Sequence, residues 1–248
     1  MHLLARRYRG VSIALFLLLL IYQAPARTLV WLAPENLTVS GLTGTIWAGE
    51  AARAWVTIDG KPLMLGRLDW QIRPWRLFWG APVVFSATWG EQKLKTRAGP
   101  TATGKWMLRD TQVSVDAQIF RLFFPLYLGG RAAGNFARLE VADSRVVSVW
   151  GSALLSDAVW TARGGNLPLG TYHISLDADK AGLGVMGEVT TFEGALVLEG
   201  TVMLSPDSYQ VALSATGPVA RDESFRRAVT MLASPTADGF EVLLQGQL

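Results

Sequence analysis

The chain has 248 residues, half of them hydrophobic, with 10 tryptophans, no cysteine and a formal net charge of +3. Without cysteine it can form no disulfide, thiolate metal site or cysteine nucleophile. Only two histidines are present, His2 and His173, so a zinc site or a Ser-His-Asp triad would have to rest on His173 alone. Much of the positive charge lies in the first ten residues. The rest of the sequence shows no sustained cationic face of the kind that binds nucleic acid. We expect no cofactor, no metal and no nucleic-acid partner.

The first element in chain order is an apolar run over residues 11–22, preceded by Arg6, Arg7 and Arg9. Because basic flanks stay on the cytoplasmic side, residues 1–10 are predicted to be a basic cytoplasmic tail and 11–32 a transmembrane anchor and connector. Residues 33–248 would then form a periplasmic β-domain, on a single-pass protein of a bacterial inner membrane. The run is shorter than the roughly 20 residues of a full span, but a snorkelling Arg27 would extend it.

A cleaved signal peptide is the alternative to this anchor. Residues 24–26, Ala-Pro-Ala, have the form of a cleavage site, and the twin arginines also fit an export signal of the Tat type. The proline beside the cut and the bulky Ile21 and Tyr22 before it count against cleavage. The sequence therefore favours a retained anchor and leaves cleavage open.

Beyond the anchor, apolar and polar residues alternate with a period of two, which is typical of half-buried strands. Turn signals rich in glycine, asparagine and aspartate separate these segments at short intervals. The pattern predicts a mainly β fold, a curved antiparallel meander sheet that forms a groove, half-barrel or sandwich. The segments that alternate include residues 68–72, 83–89, 112–116, 195–199, 201–204, 209–214 and 240–244.

One or two short helices are expected beside the sheet. The first would present Ile119, Leu122, Phe123 and Leu126 on one face. The second would begin at an Asp222 cap and present Phe225, Ala228, Val229 and Leu232. In both cases an apolar stripe that packs on the core is favoured over docking to a membrane surface.

A weak internal repeat divides the chain near residue 130. Trp47 and Trp150 are 103 residues apart, and Leu-Gly pairs follow at Leu65 and Leu169. We therefore expect two related halves, about 33–130 and 131–248. No linker rich in proline or serine separates them, which favours one continuous sheet.

No motif for catalysis or for nucleotide binding occurs in the chain. The carboxylates fit structural positions, and His173 lies in an alternating stretch that places it on the polar face of a strand. We predict that the protein is not an enzyme. Aromatic residues are crowded over residues 70–79, more than one inward face needs, so part of this group is a candidate interaction surface. Its members are Trp75, Phe78 and Trp79.

Residues 41–51, Gly-Leu-Thr-Gly-Thr-Ile-Trp-Ala-Gly-Glu-Ala, resemble a motif of the protein N family of bacterial type II secretion systems. Residues 68–74, Leu-Asp-Trp-Gln-Ile-Arg-Pro, are similar to a strand of the same family. The likeness extends over essentially the whole chain, from the short anchor to the Gly-Gln-Leu terminus. The positions that carry it, as structural ones, are Gly41, Gly44, Trp47, Gly49, Trp70 and Pro74.

The resemblance implies an accessory component at the inner membrane, non-enzymatic, in the machine that exports folded proteins across the outer membrane. Its partners would be other inner-membrane and periplasmic secretion components, such as the C, L and M proteins, with the outer-membrane secretin as a further candidate. Membrane lipid would surround the anchor. The family is also similar to AsmA-like proteins, whose curved sheets form apolar grooves. That likeness supports an alternative function, a periplasmic protein that binds lipid or another hydrophobic ligand.

Overall fold

The computed structural model describes residues 15–33, 35–58, 60–122, 128–142, 145–162, 165–178, 184–205, 208–229 and 233–247. Within these ranges the chain is mainly β, as the alternation predicts, with fourteen strands in antiparallel pairs and a few short helices. Contacts divide the chain into two compact units, Met1–Gly90 and Glu91–Leu248. The predicted halves, which would divide near residue 130, remain a prediction.

The first unit is a four-stranded meander that follows a helical segment. Helix α1 covers residues 15–22, and all of its side chains are exposed. In the described part of the chain, no helix has both the length and the apolar character to cross a membrane. Arg6, Arg7 and Arg9, on which the predicted topology depends, lie outside the described residues. The strands are β1 (Leu37–Gly44), β2 (Ala48–Ile58), β3 (Lys61–Ile72) and β4 (Val83–Trp89), with 3-10 helices at Ala26–Leu32 and Pro74–Trp79.

The second unit continues the same pattern over longer strands. Each strand from β5 to β11 pairs with the strand that follows it. Strand β12 pairs with β14, and the two-residue β13 also pairs with β14. This order follows from the short connections, because neighbours in sequence pair most readily as antiparallel hairpins. The strands are β5 (Gln92–Pro100), β6 (Trp106–Asp116), β7 (Leu128–Ala142), β8 (Arg145–Ala162), β9 (Gly165–Ala178), β10 (Val185–Gly194), β11 (Val197–Leu204), β12 (Ser208–Thr216), β13 (Ser234–Pro235) and β14 (Gly239–Gln247).

Helix α2 (Glu223–Val229) packs on the main core of this second unit. The Asp222 carboxylate accepts a hydrogen bond from the Phe225 amide at 2.9 Å, which confirms the predicted cap. The Phe225 ring is buried and meets Trp160 edge-on, with 5.2 Å between the ring centroids. Phe240 lies on its other side at 5.8 Å. Ala228, predicted on the apolar stripe, is exposed instead, because a helix of seven residues turns only part of its surface to the sheet.

Two other predicted elements differ from the structure. The first helix is a 3-10 helix over Ala117–Leu122, and Phe123 and Leu126 lie outside the described residues. The predicted strands at 195–199 and 201–204 are a single strand, β11, which begins at Val197 after a bend. It passes through Gly200, where φ is +151° and a Cβ atom would lie 2.1 Å from the Ala212 carbonyl oxygen. Glycine at this position permits close pairing of two strands and does not mark a turn.

Candidate functional site

The turn between β1 and β2 connects the sheet of the first unit to the end of α1. The amide of Thr45 donates to the carbonyl of Ala48 at 2.8 Å and closes the turn. Gly44 precedes it with φ of +88°, and a Cβ atom there would lie 2.5 Å from the same carbonyl oxygen. Only glycine avoids both the strain of this backbone conformation and the clash. The turn therefore depends on its first residue having no side chain.

Two hydrogen bonds join this turn to α1 and the segment after it, and a third joins the turn to β3. The indole N–H of Trp47 donates to the carbonyl of Ile21 at 3.0 Å. The amide of Ile46 donates to the carbonyl of Ala24 at 3.0 Å. The indole N–H of Trp70, on β3, donates to the carbonyl of Ile46 at 3.2 Å. Carbonyls at a helix C-terminus lack intrahelical partners, so the Trp47 indole and the Ile46 amide fix the path along which the chain leaves α1. We call these residues the junction.

At two glycines of the motif a side chain would collide with a neighbouring residue. At Gly49 a Cβ atom would lie 2.6 Å from the Trp70 ring and 2.5 Å from the carbonyl oxygen of Thr43. At Gly41 it would lie 2.8 Å from the Cβ of Ala52, and φ is +69°. Of the positions picked out in the sequence by resemblance, Gly49 packs against the Trp70 ring, whereas Gly41 lies against Ala52. What the sequence did not reveal is the role of Ile21 and Ala24, because main-chain carbonyls leave no trace in residue identity.

The predicted interaction surface lies in the 3-10 helix Pro74–Trp79, directly after β3. Trp75 is 61% exposed, unlike Trp70, which is half-buried. The side chains of Phe78 and Trp79 are not among those described. The aromatic group is therefore divided: Trp70 packs within the junction and Trp75 faces outward. Whether Trp75 contacts a partner remains a prediction.

One face of the second unit's sheet is apolar from strand to strand. A row of directly paired residues crosses nine strands without a polar side chain, running from Leu94 on β5 to Val242 on β14. Between these two lie Val113, Gly134, Ala153, Ile174, Val189, Gly200 and Leu213. Near the ends of the strands α2 covers this face, whereas Ala153, Ile174 and Leu213 are only half-buried. The row could not be read from the sequence, because alternation gives the two faces of each strand but not the register between strands.

The opposite face is largely polar and carries His173, which is exposed as predicted. A small apolar patch interrupts it where β10, β11 and β14 run. Met186 and Met203 are paired across β10 and β11 and are 42% and 38% exposed, and Leu243 is 70% exposed. We call these three residues the methionine patch. A shallow pocket of about 400 Å³ is lined by Met203, Leu243 and both polar and apolar neighbours on β11, β12 and β14.

The titratable groups show little sign of a reactive centre. Burial raises the pKa of Tyr172 to about 12, and its hydroxyl donates to the Leu196 carbonyl at 2.9 Å within the core. Among the described residues, no three side chains of the metal-binding types are grouped closely enough to hold an ion. Arg67 bridges Glu50 and Asp69 on the surface, and such pairs contribute little stability. The titratable groups named here take part in core packing and in surface ion pairs.

Comparison with known proteins agrees with this arrangement. The family model described as "Type II secretion system (T2SS), protein N" matches residues 35–242. The type II secretion system protein N of Aeromonas hydrophila is 26% identical over 233 residues, which cover 88% of this chain and 87% of the relative. No solved structure matches the chain. The junction lies mostly inside the matched region, which begins after α1. The chain belongs to the protein N family and is a component of a type II secretion system.

Proposed function

We propose that the protein is a non-enzymatic accessory component at the inner membrane, with its β-units in the periplasm, and that it supports export through contacts with other secretion components. Membership of the protein N family carries the proposal. The exposed apolar side chains of α1 support membrane anchoring, since every side chain of residues 15–22 is exposed. Retention of this segment, rather than cleavage, is part of the proposal.

The absence of cysteine makes the topology directly testable. A single cysteine at Thr57, an exposed position on β2, should react with a membrane-impermeant maleimide once the outer membrane is permeabilised. A cysteine at His2 is the matched control and should react only after the inner membrane is broken. Equal labelling of both before lysis would contradict the topology, and loss of the His2 label from the mature protein would show cleavage.

The methionine patch is the surface we assign to a protein partner. Methionine is enriched at contact surfaces, and a contiguous apolar patch marks an interaction site, whereas single exposed hydrophobic side chains are normal. In cells that secrete through this system, crosslinking from a photoreactive residue at Leu243 should trap another secretion component. Leu154, 37% exposed on the same face of β8, is the matched control. Recovery of no component from Leu243, with normal export after deletion of the gene, would overturn the proposed function.

A second candidate function is binding of lipid or another hydrophobic ligand, and the apolar row across nine strands favours it. Ala153 lies at the centre of that row, whereas the adjacent Ser152 points to the opposite face. If the row holds a ligand, native mass spectrometry of the detergent-extracted protein should show bound lipid. Ala153→Trp should displace the lipid, and Ser152→Trp should not. Protein free of ligand in the wild type would exclude this function.

A further inference from the structure

We propose that the junction end of the first unit lies on the headgroup layer of an anionic phospholipid bilayer, through Arg27, Arg73, Trp75 and Arg76. This inference rests on the proposed anchoring by α1. We call these four residues the collar. Basic side chains attract anionic headgroups, and tryptophan prefers the boundary between hydrocarbon and water. The collar would set the orientation of the β-domain relative to the membrane, which the anchor alone does not determine.

Main-chain contacts place the collar at the end of the sheet that α1 reaches. The amide of Ile72, the last residue of β3, donates to the carbonyl of Trp47 at 2.6 Å. The next residue is Arg73, and Trp75 and Arg76 follow in the 3-10 helix. Trp47 in turn donates its indole N–H to Ile21, within α1. Arg27 lies two residues after Pro25, which pairs with Thr45 at the same turn.

The charge at this end is mainly positive. The segments joined by the contacts above, with the collar residues that follow them, are residues 21–27, 44–49 and 72–76, and they contain three arginines and neither aspartate nor glutamate. Arg27, Arg73 and Arg76 make no ion pair with any other described residue. Glu50, which follows Gly49, and Asp69 are both paired with Arg67. Three cations that form no ion pair within the described ranges are complementary to a negatively charged surface.

The length of the apolar run brings this end close to the bilayer. Residues 11–22 number 12, whereas a span requires roughly 20. A short span draws its flanking residues toward the hydrocarbon or thins the bilayer locally. Tyr22, 71% exposed, closes the run, and Trp75 in the collar is 61% exposed. Both are residues of the type found at membrane interfaces.

The collar can be tested in the full chain because the natural sequence contains no cysteine. An environment-sensitive fluorophore at a cysteine replacing Trp75 would be compared with the same fluorophore at Thr57, toward the other end of β2. The protein would be reconstituted in vesicles of phosphatidylcholine, alone or mixed with phosphatidylglycerol, with a quencher carried in the headgroup region. We expect quenching at position 75 to exceed that at 57 by about twofold or more, and to increase with the anionic lipid.

A second set of variants tests whether the collar depends on its positive charge. Arg73→Gln with Arg76→Gln should lower quenching at position 75 toward the level at position 57, and so should about 1 M salt, which reduces the screening length to about 3 Å. Lys93→Gln with Lys95→Gln removes the same charge from exposed positions of β5 and should change nothing. Equal quenching at the two positions, or no dependence on lipid charge, would overturn the collar if the chain still resists extraction by alkaline carbonate. Extraction by carbonate would overturn the proposed anchoring itself.

Discussion

Replacing Gly49 by alanine tests whether the junction is a close-packed unit. The added Cβ atom would lie 2.5 Å from the Thr43 carbonyl oxygen and 2.6 Å from the Trp70 ring. Neither neighbour can rotate away easily, because one is backbone and the other donates its N–H to Ile46. We therefore expect Gly49→Ala to destabilise the first unit, although alanine favours strands more than glycine does.

The size of the effect follows from the distances. Ordinary carbon contacts lie near 3.5 Å or beyond, so the ring and the carbonyl must each move by about 1 Å. Overpacking of this kind costs about 1–3 kcal/mol. For a chain of this length such a loss corresponds to a decrease in Tm of about 2–12 °C. The measurement is thermal unfolding of the full chain in mild detergent, followed by tryptophan fluorescence.

Gly129→Ala is the matched control, because its nearest neighbour, the Val159 carbonyl, would be 3.7 Å from the new Cβ atom. This variant should be neutral or stabilise by less than about 1 kcal/mol, through the lower entropy of its unfolded chain. In a Trp70→Leu background, Gly49→Ala should cost less, because the ring is gone. A Tm for Gly49→Ala that equals or exceeds that of Gly129→Ala would refute the reasoning.

Two further predictions each concern one hydrogen bond, and a third concerns the titration of Tyr172. Trp47→Phe removes the donor to the Ile21 carbonyl and should cost about 0.5–1.5 kcal/mol; limited proteolysis should also cut faster after α1, and an unchanged cutting rate would contradict the junction. Tyr172 has a pKa of about 12 when folded against about 10 unfolded, so the folded state holds its proton longer and stability should fall as pH rises through this window. Denaturant titrations at several pH values should show this slope in the wild type and not in Tyr172→Phe. Asp222→Ala should cost about 1 kcal/mol in urea unfolding by removing the cap on Phe225, whereas Asp222→Asn, which retains an acceptor, should cost clearly less.

Much of the secondary structure could be read from the sequence because it is local. Alternation identified β4 over its full length, and the Asp222 cap was recognisable from its position before an apolar stripe. One error arose where a glycine had two explanations. Gly200 suggested a break between strands, yet it lies inside β11 because strand pairing leaves no room for a Cβ atom. Only the neighbouring strand could reveal which explanation holds.

The candidate site could be predicted only in part from the sequence. The motif residues Gly44, Trp47 and Gly49 were found through resemblance, but their contacts were not: Trp47 donates to a main-chain carbonyl of α1, and the two glycines leave no room for a Cβ atom. The exposure of Trp75 and burial of Trp70 likewise could not be separated, because both lie in one aromatic stretch. Exposure depends on which elements pack together, and residue types alone do not determine this.

The sequence by itself determined which side chains this protein can use. A chain with no cysteine and two histidines can form no disulfide or thiolate metal site, whatever its fold. Tertiary structure alone decided which residues meet. Strand register aligned nine apolar positions into one row, and main-chain hydrogen bonds brought Arg73 and Arg76 to the end of the sheet where α1 terminates. Such placements depend on contacts between residues distant in sequence, whose pairing no local pattern encodes.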